Sequence, residues 1–454
     1  MTMHRHHQQH RDLGRCRRLP RSCILAASLL AIGLSGHATT YHVAPTGHNQ
    51  NSGSEAAPWQ SIQYALDQAH PGDTILVAAG IYPEAIQTVR DGHPDAPIAL
   101  RARVPGTATL EGSSSDWSTG VRVRHDNILL EGFEIRDWSS TGIWIDGAAG
   151  FRLTDTLVHS LPFGVGAANG AHDFMLERVE IRNFDLYGFD ASPSGGAACW
   201  NGTLIDCSAH SARDPEQNVD GFALGHGTQH GFRFVRCEAY DVFDGFDISA
   251  DDTQLDSCRS YRNGNAGFKI WSDGVRLENC VAYGNGITNL ELDWDGTPGR
   301  TTLRQCTLFE AAVYSIWIEN SLDALDMANC IVAGGENIGL AFEQRDASRY
   351  TGDFNLFQND NPARAIAVGY ADEFGLDQVA AGAWTAYSGQ DMNSIVVRDA
   401  AMIFSAPVQY ELSLSSDSPA LDAGSLAHAT THDITGTTRP QGPGPDLGAW
   451  EREQ

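Results

Sequence analysis

The sequence predicts an all-β solenoid of stacked parallel strands, with a capping helix at its N-terminal end and an irregular C-terminal cap. Three observations predict it. A short text recurs at a period in the twenties, a lone amphipathic segment precedes it, and a Gly/Pro-rich tail follows it. Periods of this size mark repeat architectures in which each unit buries its apolar face only against its neighbours.

The repeat is carried by "LIDCSAH", "FVRCEAY", "LDSCRSY", "LENCVAY", "LRQCTLF" and "MANCIVA", where an apolar residue is followed three places on by Cys207, Cys237, Cys258, Cys280, Cys306 or Cys330. Earlier copies place Phe133, Thr156 and Val179 in that slot, and the steps are 23, 23, 28, 30, 21, 22, 26 and 24 residues. Short β-type segments between Gly and Asn turns fit coils about 4.8 Å apart. The cysteines then form an inward ladder. Stacking one per coil leaves little room for disulfide geometry, so free buried thiols are expected, with disulfides the alternative.

Ahead of the coils, "PWQSIQYALDQAHPGDTILV" has helical spacing at Ile62, Ala65, Leu66 and Ala69, stops at Pro71-Gly72 and enters a strand at Thr74 to Val77. A helix there would shield the open sheet edge of the first coil. From about Gly352 the repeat fades, and the tail "DITGTTRPQGPGPDLGAWE" is expected to close the other end. Four regions result: a leader over 1–38, the cap helix and first coils over 39–120, the main coils over 121–351, and the last coils and cap over 352–454.

The leader is read from six arginines, an apolar run from about Ile24 to Leu34, and small residues at Gly36 and Ala38. That run is too short to span a bilayer, so a secreted protein (extracellular or periplasmic) is expected, without membrane insertion and as a monomer. Without the leader the formal charge falls from -27 to -32, since residues 1–38 hold those six arginines against Asp12 alone. Such a surface disfavours nucleic acid as a partner.

The thirty cations comprise twenty-nine arginines and one lysine, Lys269 in "GNAGFKIW". Guanidinium stays protonated in proteins, whereas an amine can be tuned to lose its proton. The texts "YGFD", "DGFA", "DGFD" and "AGFK" superpose on Gly-Phe, stacking Phe189, Phe222, Phe246 and Phe268 inside. Because strand side chains alternate, the next residue faces outward. The outward column then reads Trp144, Ala167, Asp190, Ala223, Asp247, Lys269, Glu291, Trp317. A second column, one place before the glycine, contains Asp220, Asp244 and Ala266. Asp220, Asp244 and Asp247 thus share one patch beside Lys269. Three converging carboxylates repel unless a cation lies among them, and an oxygen-only set suits Ca²⁺.

With "VDGFA", "FDGFDI" and "NGNAGFKI" in this order after the N-terminal "YHVAPTGHNQNSGSEAAPWQSIQ", residues 41 to 345 resemble polysaccharide lyase family nine, pectate lyase-like enzymes on a right-handed parallel β-helix. The resemblance implies Lys269 as Brønsted base and Asp220, Asp244 and Asp247 as Ca²⁺ ligands. It departs at Phe243, where the family has a further aspartate, with Asp241 nearby as a substitute. The implied reaction is β-elimination on an acidic, galacturonate-containing polysaccharide. A divalent cation would push the Lys269 amine toward its neutral form while Asp247 and Glu291 oppose it, so metal dependence and an alkaline optimum are expected. Arg213, Arg262 and Arg345 are candidate carboxylate clamps, and Trp144 and Trp317 candidate sugar platforms. The competing readings are a lyase on rhamnogalacturonan or another uronate polymer, a glycoside hydrolase using a carboxylate pair, and a non-catalytic carbohydrate-binding β-helix.

Overall fold

The computed structural model describes residues 38–453 apart from 113–117, 193–195, 226–227, 293–298, 320–322, 345 and 370. The expected leader and Arg345 therefore lie outside the described residues. No described helix is long and apolar enough to cross a membrane.

Each coil of the right-handed parallel β-helix contributes to three columns of parallel strands. The first column is a 13-stranded sheet running from Thr40–Val43 to Tyr350–Asp353. The second holds the ladder strands, such as Glu238–Tyr240, Arg259–Tyr261 and Val281–Tyr283. The third holds Asp220–Leu224, Phe246–Ile248, Ala266–Ile270 and Thr288–Leu292. Leu157–Ala168 and Glu180–Ala191 run from the second column into the third without a break.

Two left-handed corners per coil set this shape. The residue before each ladder position has φ between 51° and 59° from Asp155 to Asn329, including Asp206, Ser257 and Asn279. Four places after the ladder position the chain turns again, as at Asp137, Asn183, Asp241 and Arg262, with φ of 53–59°. Single αL residues are where Asp, Asn and Gly are enriched. Where arginine takes the first corner, the coil below holds it: Arg178 pairs with Asp155 and Arg236 with Asp206, at 2.6 and 2.7 Å.

Turning at the first corner aims the ladder side chain into the core. Cys207, Cys237, Cys258, Cys280, Cys306 and Cys330 are all buried and free, as expected. Their thiols donate to backbone carbonyls, Cys237 Sγ to Leu204 O at 3.4 Å and Cys280 Sγ to Leu255 O at 3.4 Å. Burial pushes the thiols of Cys207, Cys237, Cys280 and Cys330 far above their usual range, which keeps them protonated and inert. A thiol reagent is expected to label the ladder only after denaturation. Cys258→Ala, which opens a small void, should cost about 1–2 kcal/mol in a denaturant melt.

The helix forms at Ile62–Gln68, with Ser61 as N-cap and Ile62, Ala65 and Leu66 buried against the first coils. The strand Thr74–Val77 follows as expected. At the other end, coils continue to Ile395–Val396, which pairs with Leu356–Phe357. The helices Leu376–Ala380 and Ala383–Ser388 cover this end, placing buried Trp384 at 6.1 Å from Phe342.

The irregular C-terminal cap is as expected, and its final tail also returns along the side of the coils. Gln305 and Asn329, at first corners, hold Thr430 and Ser425 through side-chain hydrogen bonds. Outward Val281, Phe309, Ile331 and Ala333 join Leu412, Leu414, Leu447 and Ala449 in a second apolar cluster. The physical cause is apolar: those ladder strands carry hydrophobes on both faces, and the tail removes the outer set from water.

Candidate active site

The inner phenylalanine stack is as expected. Phe189 pairs in register with Phe222, and the rings of Phe222, Phe246 and Phe268 follow at 4.9 and 5.1 Å. With that core aligned, the outward residues align too: Ala223, Asp247, Lys269, Glu291 and Trp317 are register partners on successive coils. One member of the predicted column is corrected. Gly166, not Ala167, pairs with both Trp144 and Asp190, while Ala167 is buried beside Ile145. The register shifts between Leu161 and Phe163, so that coil reaches its outward position one residue sooner.

Asp220, Asp244 and Asp247 come together, each offering an oxygen within 4.8 Å of the others'. Asp220 and Asp244 start the turn into the third column, where the backbone of the next coil is close. Gly221 N donates to Asp244 O, and Asp244 Oδ1 accepts from Ala266 N (2.9 Å) and Asn265 Nδ2 (2.7 Å). Those two donors orient the Asp244 carboxylate. Its Oδ2, with Asp220 Oδ1 and Asp247 Oδ1, is buried and lacks a hydrogen-bond partner. Burial, followed by repulsion from Asp247 and Asp244, pushes the Asp220 carboxyl up to about 9. Burial and Asp244 push Asp247 to about 7, opposed by Lys269 and the Trp271 indole. Burial raises Asp244 as well, with Lys269 opposing it.

Buried carboxylate oxygens without partners are costly, and three carboxylates this close together are of the kind a hard cation takes as ligands. These residues fit Ca²⁺. Three carboxylates leave coordination positions for substrate and water.

Lys269 stands one coil from Asp247, its side chain 16% exposed. Nζ lies 3.8 Å from Glu291 Oε1 and 4.6 Å from the centroid of the Trp271 ring. Glu291 is itself held by Thr288, whose hydroxyl donates to Oε2 at 3.3 Å. The amine is therefore fixed between a carboxylate and an aromatic face, close enough to act electrostatically on all three aspartates.

The remaining candidates divide. Trp144 and Trp317 are half-buried on the outward column, and Trp317 stacks on Tyr314 at 5.7 Å. Arg213 holds Asp185 at 2.8 Å. Arg262 holds both oxygens of Asp241 (2.9 and 3.1 Å) and lies over the Tyr261 ring. Asp241 is thereby committed to that pair and does not replace the acid missing at Phe243. Three residues had not been singled out. Asn265 orients Asp244, Trp271 packs on Lys269, and Tyr187 lies against the cluster, its hydroxyl pKa raised by burial and by Asp220, Asp190 and Asp247. Tyr187 is the register partner of Asp220, so the column one place before the glycine was the signal that could have found it.

Comparison with known proteins places the chain and its fold. Pectate lyase PEL9 of Emericella nidulans is 29% identical over 218 residues, 46% of this chain and 50% of that protein. Pectate lyase L of Dickeya chrysanthemi is 26% identical over 262 residues, 53% of this chain and 55% of that protein. The chain thus spans about half the length of the curated relatives it matches. The crystal structure of pectate lyase Pel9A has the same fold, with a TM-score of 0.57 and 19% identity, covering 91% of this chain and 96% of that one. The model of the Pel9A-like right-handed β-helix region matches residues 41–300, more than half of the sequence, and the chain belongs to that family.

Proposed function

We propose that the chain is a secreted, calcium-dependent polysaccharide lyase that cuts a galacturonate-containing polymer by β-elimination, with Lys269 as the base. The observation that carries this reading is the meeting, on adjacent coils, of the only lysine with three clustered carboxylates, two buried and one half-buried, each holding a buried oxygen without a hydrogen-bond partner. Relatives that share about half their length with this chain are pectate lyases, which supports the same substrate class.

The proton to be removed sits on C5 of a uronate, beside the C6 carboxylate. Asp220, Asp244 and Asp247 would hold Ca²⁺, which when bound draws charge from that carboxylate and favours the carbanion-like transition state. Neutral Lys269 Nζ takes the C5 proton. The electron pair becomes the C4=C5 double bond, the C4–O4 bond breaks, and O4 leaves with the bonding pair and is protonated. Glu291 and the Trp271 face keep the amine from swinging away, and positioning of this kind lowers the entropic cost of attack. Arginine at this point could bind but could not accept the proton.

The test is ultraviolet absorbance on polygalacturonate, rhamnogalacturonan, alginate and glycosaminoglycans, with and without a chelator. The expected result is an unsaturated product from polygalacturonate that disappears with the chelator. New reducing ends without absorbance would replace the proposal with hydrolysis, and binding without product would replace it with a carbohydrate-binding role.

A further inference from the structure

The outward column does not end at the acid cluster. From Lys269 it runs through Ala223, Asp190 and Gly166 to Trp144 and Arg122, all in register. At about 4.8 Å per coil, Trp144 stands roughly 24 Å and Arg122 roughly 29 Å from Lys269. A trough of about 930 Å³ occupies that end, lined by both residues and walled by Gln63 and Asp67 of the capping helix. It shares Asp190 and Ser192 with the hollow of about 370 Å³ over Asp220 and Asp247. The two hollows meet along Asp190 and Ser192 on the same face of the coils.

Two features of its far end are unusual for a bare solenoid face. The benzo edge of the Trp144 indole lies against Gly166, where a Cβ would come within 2.4 Å of Cε3 and Cζ3. Gly166 has no left-handed φ, so the backbone does not call for glycine there. Its missing side chain serves the ring, which lies over the next coil while still lining the trough. Arg122 is the second feature. Neighbouring Arg101, Arg124 and Arg136 pair with Glu131, Asp146 and Glu111, whereas Arg122 has no ion pair among the described residues. The nearest acid acting on it, Asp146, is already held by Arg124 at 2.9 Å, so the Arg122 guanidinium, outside salt-bridge contact and lining a groove in a chain of charge -27, is placed for an anion from outside.

We propose that Trp144 and Arg122 form a distal subsite for a uronate unit of the polymer whose cleavage occurs at Lys269, an inference that rests on the lyase reading. The indole stacks on a pyranose face, and the guanidinium pairs with a carboxylate of the same stretch of chain. The subsite gives the groove a length preference, because only a chain spanning five or six coils reaches both it and the base.

The experiment compares polygalacturonate with trigalacturonate, which is shorter than that span, for the wild type and for Trp144→Ala, Arg122→Gln and Gly166→Ala. For each variant the preference for polymer, read as the ratio of the two KM values, is expected to fall about tenfold, the worth of one stacking or ionic contact. Affinity electrophoresis in polygalacturonate gels, in a Lys269→Ala background, reads the same contacts without any chemistry. There Trp144→Ala and Arg122→Gln should each weaken retention about tenfold, with the salt dependence flattened by Arg122→Gln alone. Retention lost in the gels while the wild type forms no unsaturated product would sink the lyase reading and keep the subsite. An unchanged ratio with unchanged retention, or equal losses on polymer and trimer, would overturn the subsite.

Discussion

Lys269→Arg is expected to lose elimination activity by about 10²–10⁴-fold, the usual worth of a positioned general base. The substitution keeps a cation in the place where Lys269 Nζ lies 3.8 Å from Glu291 and over the Trp271 ring, so attraction for a polyanion persists. Only the ability to become neutral is removed, because guanidinium stays protonated throughout the working range. Initial rates by ultraviolet absorbance, together with retention in polygalacturonate gels, separate the two properties. The expected pair is a lost rate with retention preserved. Turnover near that of the wild type would show that the proton goes elsewhere, and the singular lysine would then be an accident of composition.

Calcium should bind in exchange for protons, and its effect on stability should grow with pH. Burial and mutual repulsion raise Asp220 to about 9 and Asp247 to about 7, whereas an unfolded aspartate titrates near 3.9. A carboxyl whose folded pKa is raised holds its proton more tightly in the fold. Its contribution is neutral below the unfolded value and becomes a growing penalty as pH rises toward the folded value. The metal-free protein should therefore lose stability from about pH 4 toward about pH 9. Calcium binds the ionised folded state and offsets that loss, by about 2.7 kcal/mol at a hundredfold excess over Kd. Thermal melts with calcium and with a chelator, at about pH 5, 7 and 9, should give a gap in Tm that widens with pH. Asp244→Asn should raise the chelated Tm by relieving repulsion, and should abolish the calcium shift. A gap independent of pH, or an Asp244→Asn protein that still gains stability from calcium, would remove the metal site.

Much of this molecule was legible in its text, for reasons that can be stated residue by residue. The Gly-Phe copies aligned Asp190, Ala223, Asp247 and Lys269 correctly because stacked phenylalanines tolerate no slip of register: one step would turn Phe246 to solvent and Asp247 into the core. The ladder was readable because the first corner admits only a small or apolar inward side chain. The corners are legible too, in Asp206, Ser257, Asn279 and Asn329 before the cysteines. Ala167 was misplaced because counting assumes equal arms, and the corner between Leu161 and Phe163 is one residue shorter than the next coil's. Arg262 and Asp241 each looked available from the text alone. They face one another across a single coil step, and the pair satisfies both.

By itself, the sequence determined the solenoid, the capping helix, the inner stack and the chemical types that meet on the third column, because a period-two strand repeated each coil converts spacing directly into position. Only the tertiary structure decided which oxygens of Asp220, Asp244 and Asp247 remain unpaired, that Asn265 and Trp271 steady the cluster and the amine, that Trp144 lies against Gly166, and that the tail of the cap packs along the coils. Those outcomes depend on contacts between coils and across corners, where arm length and side-chain direction vary independently of the repeat. No periodicity in the text encodes them.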